Sequence, residues 1–173
     1  LIFPTRTDCR TTHSAALNAV RTRYAFSREK WFDGLNSRQL VAAWGLERYD
    51  LGVTALQPDL VAFLILSTVR RFAQSADPAI STKHVILAGR ALGLSEEKSD
   101  ELKAYLLNQA VRLWSEQTSE KSDIPLGHDG YLKLWSLMDP QLAYDFILLD
   151  EAQDTNPAVL SVIRNQTCQR IYV

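Results

Sequence analysis

The sequence predicts a mainly α-helical chain that closes on a fragment of parallel α/β sheet. Three observations carry that reading. Apolar residues recur at helical spacing through most of the chain, from Leu17 to Leu113. The run Phe146-Ile147-Leu148-Leu149 is continuously apolar, as in a strand covered on both faces, and it stops abruptly at Asp150-Glu151. A short helical pattern then leads to a second strand-like run at 170–173, which together read as a strand–helix–strand crossover.

The 173 residues fit one domain. With 46% hydrophobic and 23% charged residues, a disordered or collagen-like chain is excluded. The longest apolar stretch, 60–66, is far short of the ~20 residues of a membrane span, so a soluble protein without membrane partners is expected. No targeting segment opens the chain, which suits a cytoplasmic protein, or a nuclear one if the source is eukaryotic. Cys9 and Cys168 form no disulfide framework and no metal-ligand spacing, and read as reduced thiols.

Net charge is −1, yet it is unevenly spread. Residues 1–48 carry eight Lys/Arg against four Asp/Glu, and residues 49–173 carry eleven against sixteen. A basic first quarter suits a phosphate backbone, and it equally suits a solvated face. The chain opens at Leu1 without a Met and stops inside Ile171-Tyr172-Val173, so a piece of something larger is expected.

Taken in order, Leu17, Val20 and Tyr24 predict a helix over 13–26, and a short one follows over 37–46. Pro58 and Asp59 open a third, running to about residue 72 and apolar on most sides, as expected of the centre of a helical cluster. Ser81, with Ile80 and Val85 as a hydrophobic staple, predicts a helix ending at Leu92-Gly93. Ser95 caps a long helix with Glu96 and Glu97 in its first turn and Leu102, Leu106, Ala110 and Leu113 along one face. Residues 124–127 break the pattern, and another helix is expected after Asp129, carrying Leu132, Trp135 and Leu137, with His128 and Asp129 as capping residues. The first residues are expected to join the sheet layer.

The chemistry concentrates at Asp150-Glu151-Ala152-Gln153-Asp154. Ligands of α/β proteins bind at the carboxyl ends of buried parallel strands, and adjacent acids there can divide labour. One carboxylate holds Mg²⁺ through its water shell while the next orients and deprotonates a water, as phosphoryl transfer requires. The residues alone also allow a solvated acidic turn. A second segment, Thr11-Thr12-His13-Ser14, reads as a helix cap whose hydroxyls and first amides suit phosphate.

Asp-Glu-Ala-Gln-Asp resembles motif II, the Walker B sequence, of superfamily 1A helicases of the UvrD/Rep type. The resemblance implies Asp150 as the Mg²⁺ residue and Glu151 as the general base, with Gln153 and Asp154 linking the nucleotide site to the DNA-binding parts. Thr11, Thr12, His13 and Ser14 resemble the segment that touches single-stranded DNA in that family. Thr12 stands where the family usually has Phe, which removes any aromatic contact there. His128-Asp129-Gly130-Tyr131-Leu132-Lys133-Leu134-Trp135, followed by Tyr144-Asp145, resembles the F-box DNA helicase branch. Residues 72–77, 111–114 and Asn156-Pro157-Ala158 are similar to the same branch, and the likeness is weakest across 30–58.

What the resemblance implies is an ATP-dependent translocase on single-stranded DNA, acting in repair or recombination with Mg²⁺ and ATP. Its expected architecture is a partial RecA-like (P-loop NTPase) sheet, with residues 1–26 and 119–173 in domain 1A and residues 27–118 as a helical 1B insertion. No G-x-x-x-x-G-K-[ST] occurs in the 173 residues, so the isolated chain is expected to be monomeric and catalytically inactive. Two other readings stay open. One is a helical DNA- or protein-binding module with a vestigial Walker B. The other is a metal-dependent hydrolase drawing further ligands from His13 and His128. Trp31, Trp44, Trp114 and Trp135 are candidates for base stacking, with core packing the better reading for the last two. Arg21, Arg23, Arg28 and Lys30 are candidates for phosphate contact or an exposed face.

Overall fold

A computed structural model describes residues 6–31, 34–52, 54–87 and 93–173. Helix α1 (Thr12–Arg23) starts where expected, with Thr11 Oγ1 accepting from the Ser14 amide at 3.1 Å. It ends three residues early because tertiary packing takes the chain over. Tyr24 turns extended, its ring stacks on Phe26 at 5.0 Å, and Phe26 packs against buried Trp31. The 3₁₀ turn Arg28–Trp31 buries Lys30 to 1% exposure, contrary to a surface phosphate contact. Its ammonium donates to the carbonyls of Glu116 and Ser119 and lies over the Phe26 ring.

Helix α2 (Ser37–Trp44) begins at a reciprocal Asn36–Gln39 capping box and stops at Gly45, whose φ of 59° closes the helix in the left-handed region. A small antiparallel pair, β1 (Tyr49–Asp50) and β2 (Ala55–Leu56), has no counterpart in the sequence reading. Helix α3 (Pro58–Ala73) starts at its proline and buries Val61, Ile65, Val69 and Phe72. Its apolar surface does not close all round, since Phe63 is 56% exposed.

The helix expected from Ser81 is only the 3₁₀ turn Thr82–His84, with irregular chain at 85–87; its expected end at Leu92 lies outside the described residues. The buried His84 ring explains the early stop. Its Nδ1 takes the Ser81 amide at 2.9 Å, and its Nε2 pairs with Asp77 at 2.8 Å, pinning the turn to the preceding loop. The sheet position expected for residues 1–5 likewise lies outside the described residues.

Helix α4 (Glu96–Gln117) carries Leu102, Leu106, Ala110 and Leu113 fully buried along one face, capped by Ser95 as expected. Helix α5 (Gly127–Leu137) starts before Asp129, so His128 and Asp129 are first-turn residues and not its cap. Leu126 occupies the cap position and supplies no side-chain hydrogen bond. Strand β3 (Phe146–Leu149), helix α6 (Pro157–Arg164) and strand β4 (Gln169–Tyr172) form the expected crossover, with β3 and β4 parallel and Phe146 opposite Gln169.

Strand β3 is not covered on both faces. Phe146 and Leu148 are 57% and 56% exposed, while Leu149 is buried against the helices. An apolar run reports what a strand tolerates, and the described elements cover only one side of this one.

Two apolar clusters organise the chain. The first joins α1, α5, α6, Leu149, Phe26 and Trp31, and the second joins α2, α3 and α4, with Trp114 packed on both. All four tryptophans serve packing. Trp31 and Trp135 are buried, Trp114 meets Phe72 edge-on at 5.3 Å, and Trp44 lies under the Arg112 guanidinium while donating to Glu116. Among the described residues no helix is long and apolar enough to cross a membrane, and both cysteines are free thiols.

Candidate functional site

The acid pair sits where β3 ends. Leu149 anchors the strand in the core, and the next two residues emerge exposed. The turn beyond them is tied to the neighbouring strand. The Val173 amide donates to Leu149 O, and the Ala152 amide donates to Val173 O, each at 2.9 Å. Asp150 Oδ1 accepts from the Glu151 amide at 3.0 Å.

Glu151 adopts φ 52° and ψ 43°, the left-handed region that a side chain rarely occupies. Its carboxylate accepts a hydrogen bond of 2.5 Å from Gln153 Nε2. The carbonyl of the same residue accepts from the Asp154 amide and from Thr155 Oγ1. Gln153 therefore holds the carboxylate, and the 3₁₀ turn Ala152–Asp154 holds the backbone beneath it.

Around the second motif, Thr11 Oγ1 is committed to capping, Thr12 is half-buried, and His13 and Ser14 are exposed on the first turn of α1. His13 Nδ1 shares a hydrogen bond of 2.9 Å with the Tyr131 hydroxyl. Its ring lies 5.9 Å from that of His128 and 5.7 Å from that of Tyr131. Burial, together with the nearby His128, holds the His13 imidazole below its ordinary pKa, with Asp129 opposing. The neutral ring is thus favoured at neutral pH.

Both motifs rest on one core. Ala16 and Val20 of α1 pack in the same cluster as Leu149 and the α6 residues Val159, Val162 and Ile163. A surface tie adds to this, since the Tyr144 hydroxyl donates to Asp8 Oδ2, which is paired with Arg10. Tyr131 and His128 as partners of His13 escape a linear reading, because 118 residues separate His13 from Tyr131.

The donor set at the strand end fits Mg²⁺ better than a transition metal. Carboxylate oxygens are hard ligands, and Mg²⁺ commonly takes one or two of them, filling its remaining positions with water and phosphate. No group of three or more His, Cys, Asp or Glu able to hold a metal exists among the described residues, which counts against the hydrolase built on His13 and His128.

Against known proteins, the chain aligns from end to end with two curated relatives. It is 30% identical to F-box DNA helicase 1 of Gallus gallus and 29% identical to F-box DNA helicase protein 1 of Schizosaccharomyces pombe. The chain is similar throughout to DNA helicases. It spans 17% and 20% of the length of those two relatives. No family model matches the chain, and no solved structure does.

Proposed function

We propose that this chain is part of the motor of an ATP-dependent DNA helicase and carries its motif II and one single-strand contact. The observation that carries the reading is the placement of Asp150 and Glu151 at the carboxyl end of a parallel strand, in a chain that matches DNA helicases along its whole length. In this reading residues 1–26 and 119–173 belong to domain 1A, and residues 27–118, which carry most of the second apolar cluster, are the helical 1B insertion. The two clusters follow that division in the main, with Trp31 packed in the first and Trp114 packed on both.

Mg²⁺ bound with ATP would neutralise charge on the transferred phosphoryl oxygens. Asp150 faces solvent at the strand end and would hold the metal through its water shell. Glu151 would orient the attacking water and accept its proton, with Gln153 fixing the carboxylate that receives it. Ser14 Oγ, His13 and the first amides of α1 would contact the phosphates of a single strand. The chain contains no phosphate-binding G-x-x-x-x-G-K-[ST] loop, so these roles belong to the whole protein.

The test is ATP hydrolysis by the whole protein with and without single-stranded DNA. DNA-stimulated turnover is expected, falling by ~10²–10⁴-fold in Glu151→Gln with the protein still folded. Turnover that ignores DNA, or that survives Glu151→Gln, would overturn the reading.

A further inference from the structure

The two apolar clusters meet where α3 and α4 end. Trp114, in the last turn of α4, packs edge-on against Phe72, in the last turn of α3, so the two C-terminal ends lie side by side. Carbonyls of a last helical turn have no partner within their helix and carry the negative end of its dipole. Two such ends together call for donors.

Each end receives a buried ammonium from the side of the first cluster. Lys133 on α5 is fully buried, and its Nζ donates to Ser75 O at 2.8 Å and to Asp77 O at 2.6 Å, just past the end of α3. Lys30 lies beside Trp31 and donates to Glu116 O at 3.3 Å and to Ser119 O, at the end of α4. The two surroundings match, since Lys133 lies 4.4 Å from the Phe72 ring centre and Lys30 lies 4.8 Å from that of Phe26. Weaker links run alongside, from Gln117 Nε2 to Pro125 O at 2.8 Å and from Gln74 Nε2 to Asp129 at 3.1 Å.

From this arrangement we infer that Lys30 and Lys133 are the two pins of a clasp that fixes the second cluster on the first, so that the two turn as one body. Apolar contact is non-directional and lets packed layers slide. A buried ammonium does not, because moving either layer by the length of a hydrogen bond strands a charge away from water and from its acceptors. One pin alone leaves a pivot. Two pins on different helices remove it. Lys133 shares α5 with Tyr131, so the clasp also sets where the second cluster stands relative to His13. The inference goes beyond the proposed function and holds whatever reaction the whole protein carries out.

Pulsed electron resonance between spin labels reads the joint. The labels go on Asn18→Cys in α1 and Asn108→Cys in α4, both exposed, in a chain with Cys9→Ser and Cys168→Ser. One narrow distance distribution is expected, widening about twofold in Lys30→Met or Lys133→Met and further in the double variant, with helix content by circular dichroism unchanged. A folded double variant that keeps the narrow distribution would overturn the clasp. Residual dipolar couplings of the unsubstituted chain need no variant. Amides of α1, α5 and α6 and those of α2, α3 and α4 are expected to fit one alignment tensor, and a need for two would overturn the fixed joint. If a Met variant does not fold, the Nζ protons of the unsubstituted chain decide. Two ammonium groups exchanging far more slowly than that of the exposed Lys83 support the pins, and their absence overturns them.

Discussion

His13 and Tyr131 share a hydrogen bond of 2.9 Å across 118 residues of sequence. The bond joins the first turn of α1, which carries the proposed DNA contact, to the middle of α5. Tyr131 is 4% exposed, so its hydroxyl has little access to water as an alternative partner. The imidazole of an exposed residue is thereby held by a buried phenol.

Tyr131→Phe removes that bond and leaves the ring packing intact. The expected loss is about 1 kcal/mol of unfolding free energy, read from the shift of the urea midpoint at constant slope. In the whole protein the same change should weaken single-strand binding, because His13 then samples several rotamers. An unchanged midpoint would show that the bond contributes nothing to coupling the two helices.

Lys133 makes stability depend on pH in an unusual direction. The side chain is fully buried on α5, with Nζ donating to Ser75 O at 2.8 Å and to Asp77 O at 2.6 Å and lying over the Phe72 ring. Burial lowers its pKa from 10.5 to about 8, partly opposed by Asp77. Between those two values the unfolded chain binds more protons than the folded one, so this group makes stability rise with pH across the window. Lys133→Met lacks the titration. The wild-type-minus-variant difference in urea midpoint should therefore grow in favour of wild type from about pH 8 to about pH 10. A flat difference would mean that the buried ammonium keeps an ordinary pKa.

Local chemistry explains which parts of this fold were legible. Asn36 and Ser95 set the starts of α2 and α4 through bonds within one turn, Pro58 sets that of α3 through its fixed φ, and such local signals survive in sequence. The end of α1 was not legible, because Phe26 leaves the helical path to reach Trp31. The turn at Ser81 differs for a similar reason, since His84 takes Asp77 as its partner and closes the turn, with irregular chain at 85–87 beyond it. The acid pair was legible as a pattern of adjacent residues. Its left-handed backbone was not, and neither was the pairing of His13 with Tyr131, since both depend on what surrounds them in space.

Gly130 tests how tightly α5 enters the core. A Cβ at this position would lie 2.6 Å from Leu126 Cδ1 and 2.7 Å from Leu126 Cγ. Leu126 is itself 4% exposed and packed in the first apolar cluster, so relieving the overlap means moving a core side chain. Helix propensity alone would make Gly130→Ala stabilising by up to ~1 kcal/mol. The overlap outweighs that gain, so the variant should lose about 1–3 kcal/mol in urea unfolding. A stabilised variant would show that the Leu126 side chain repacks freely.

Glu151 opposes stability to its proposed role at a single residue. A side chain at φ 52° costs ~1–2 kcal/mol relative to the right-handed region, and glycine escapes most of that cost. Glu151→Gly should therefore raise the unfolding free energy of the chain by about 1 kcal/mol, even though it deletes the bond to Gln153. Glu151→Ala keeps the strain and deletes the same bond, so it should be no more stable than wild type. The order expected in urea is Gly above Glu, with Ala lowest, and under the proposed function both variants are expected to lose DNA-stimulated ATP hydrolysis in the whole protein. The strain persists because the turn is fixed on both sides, by the Ala152 amide on Val173 O and by Thr155 Oγ1 on Glu151 O. If Gly proves no more stable than Ala, the left-handed turn stores no strain, and the acid would be positioned by Gln153 alone.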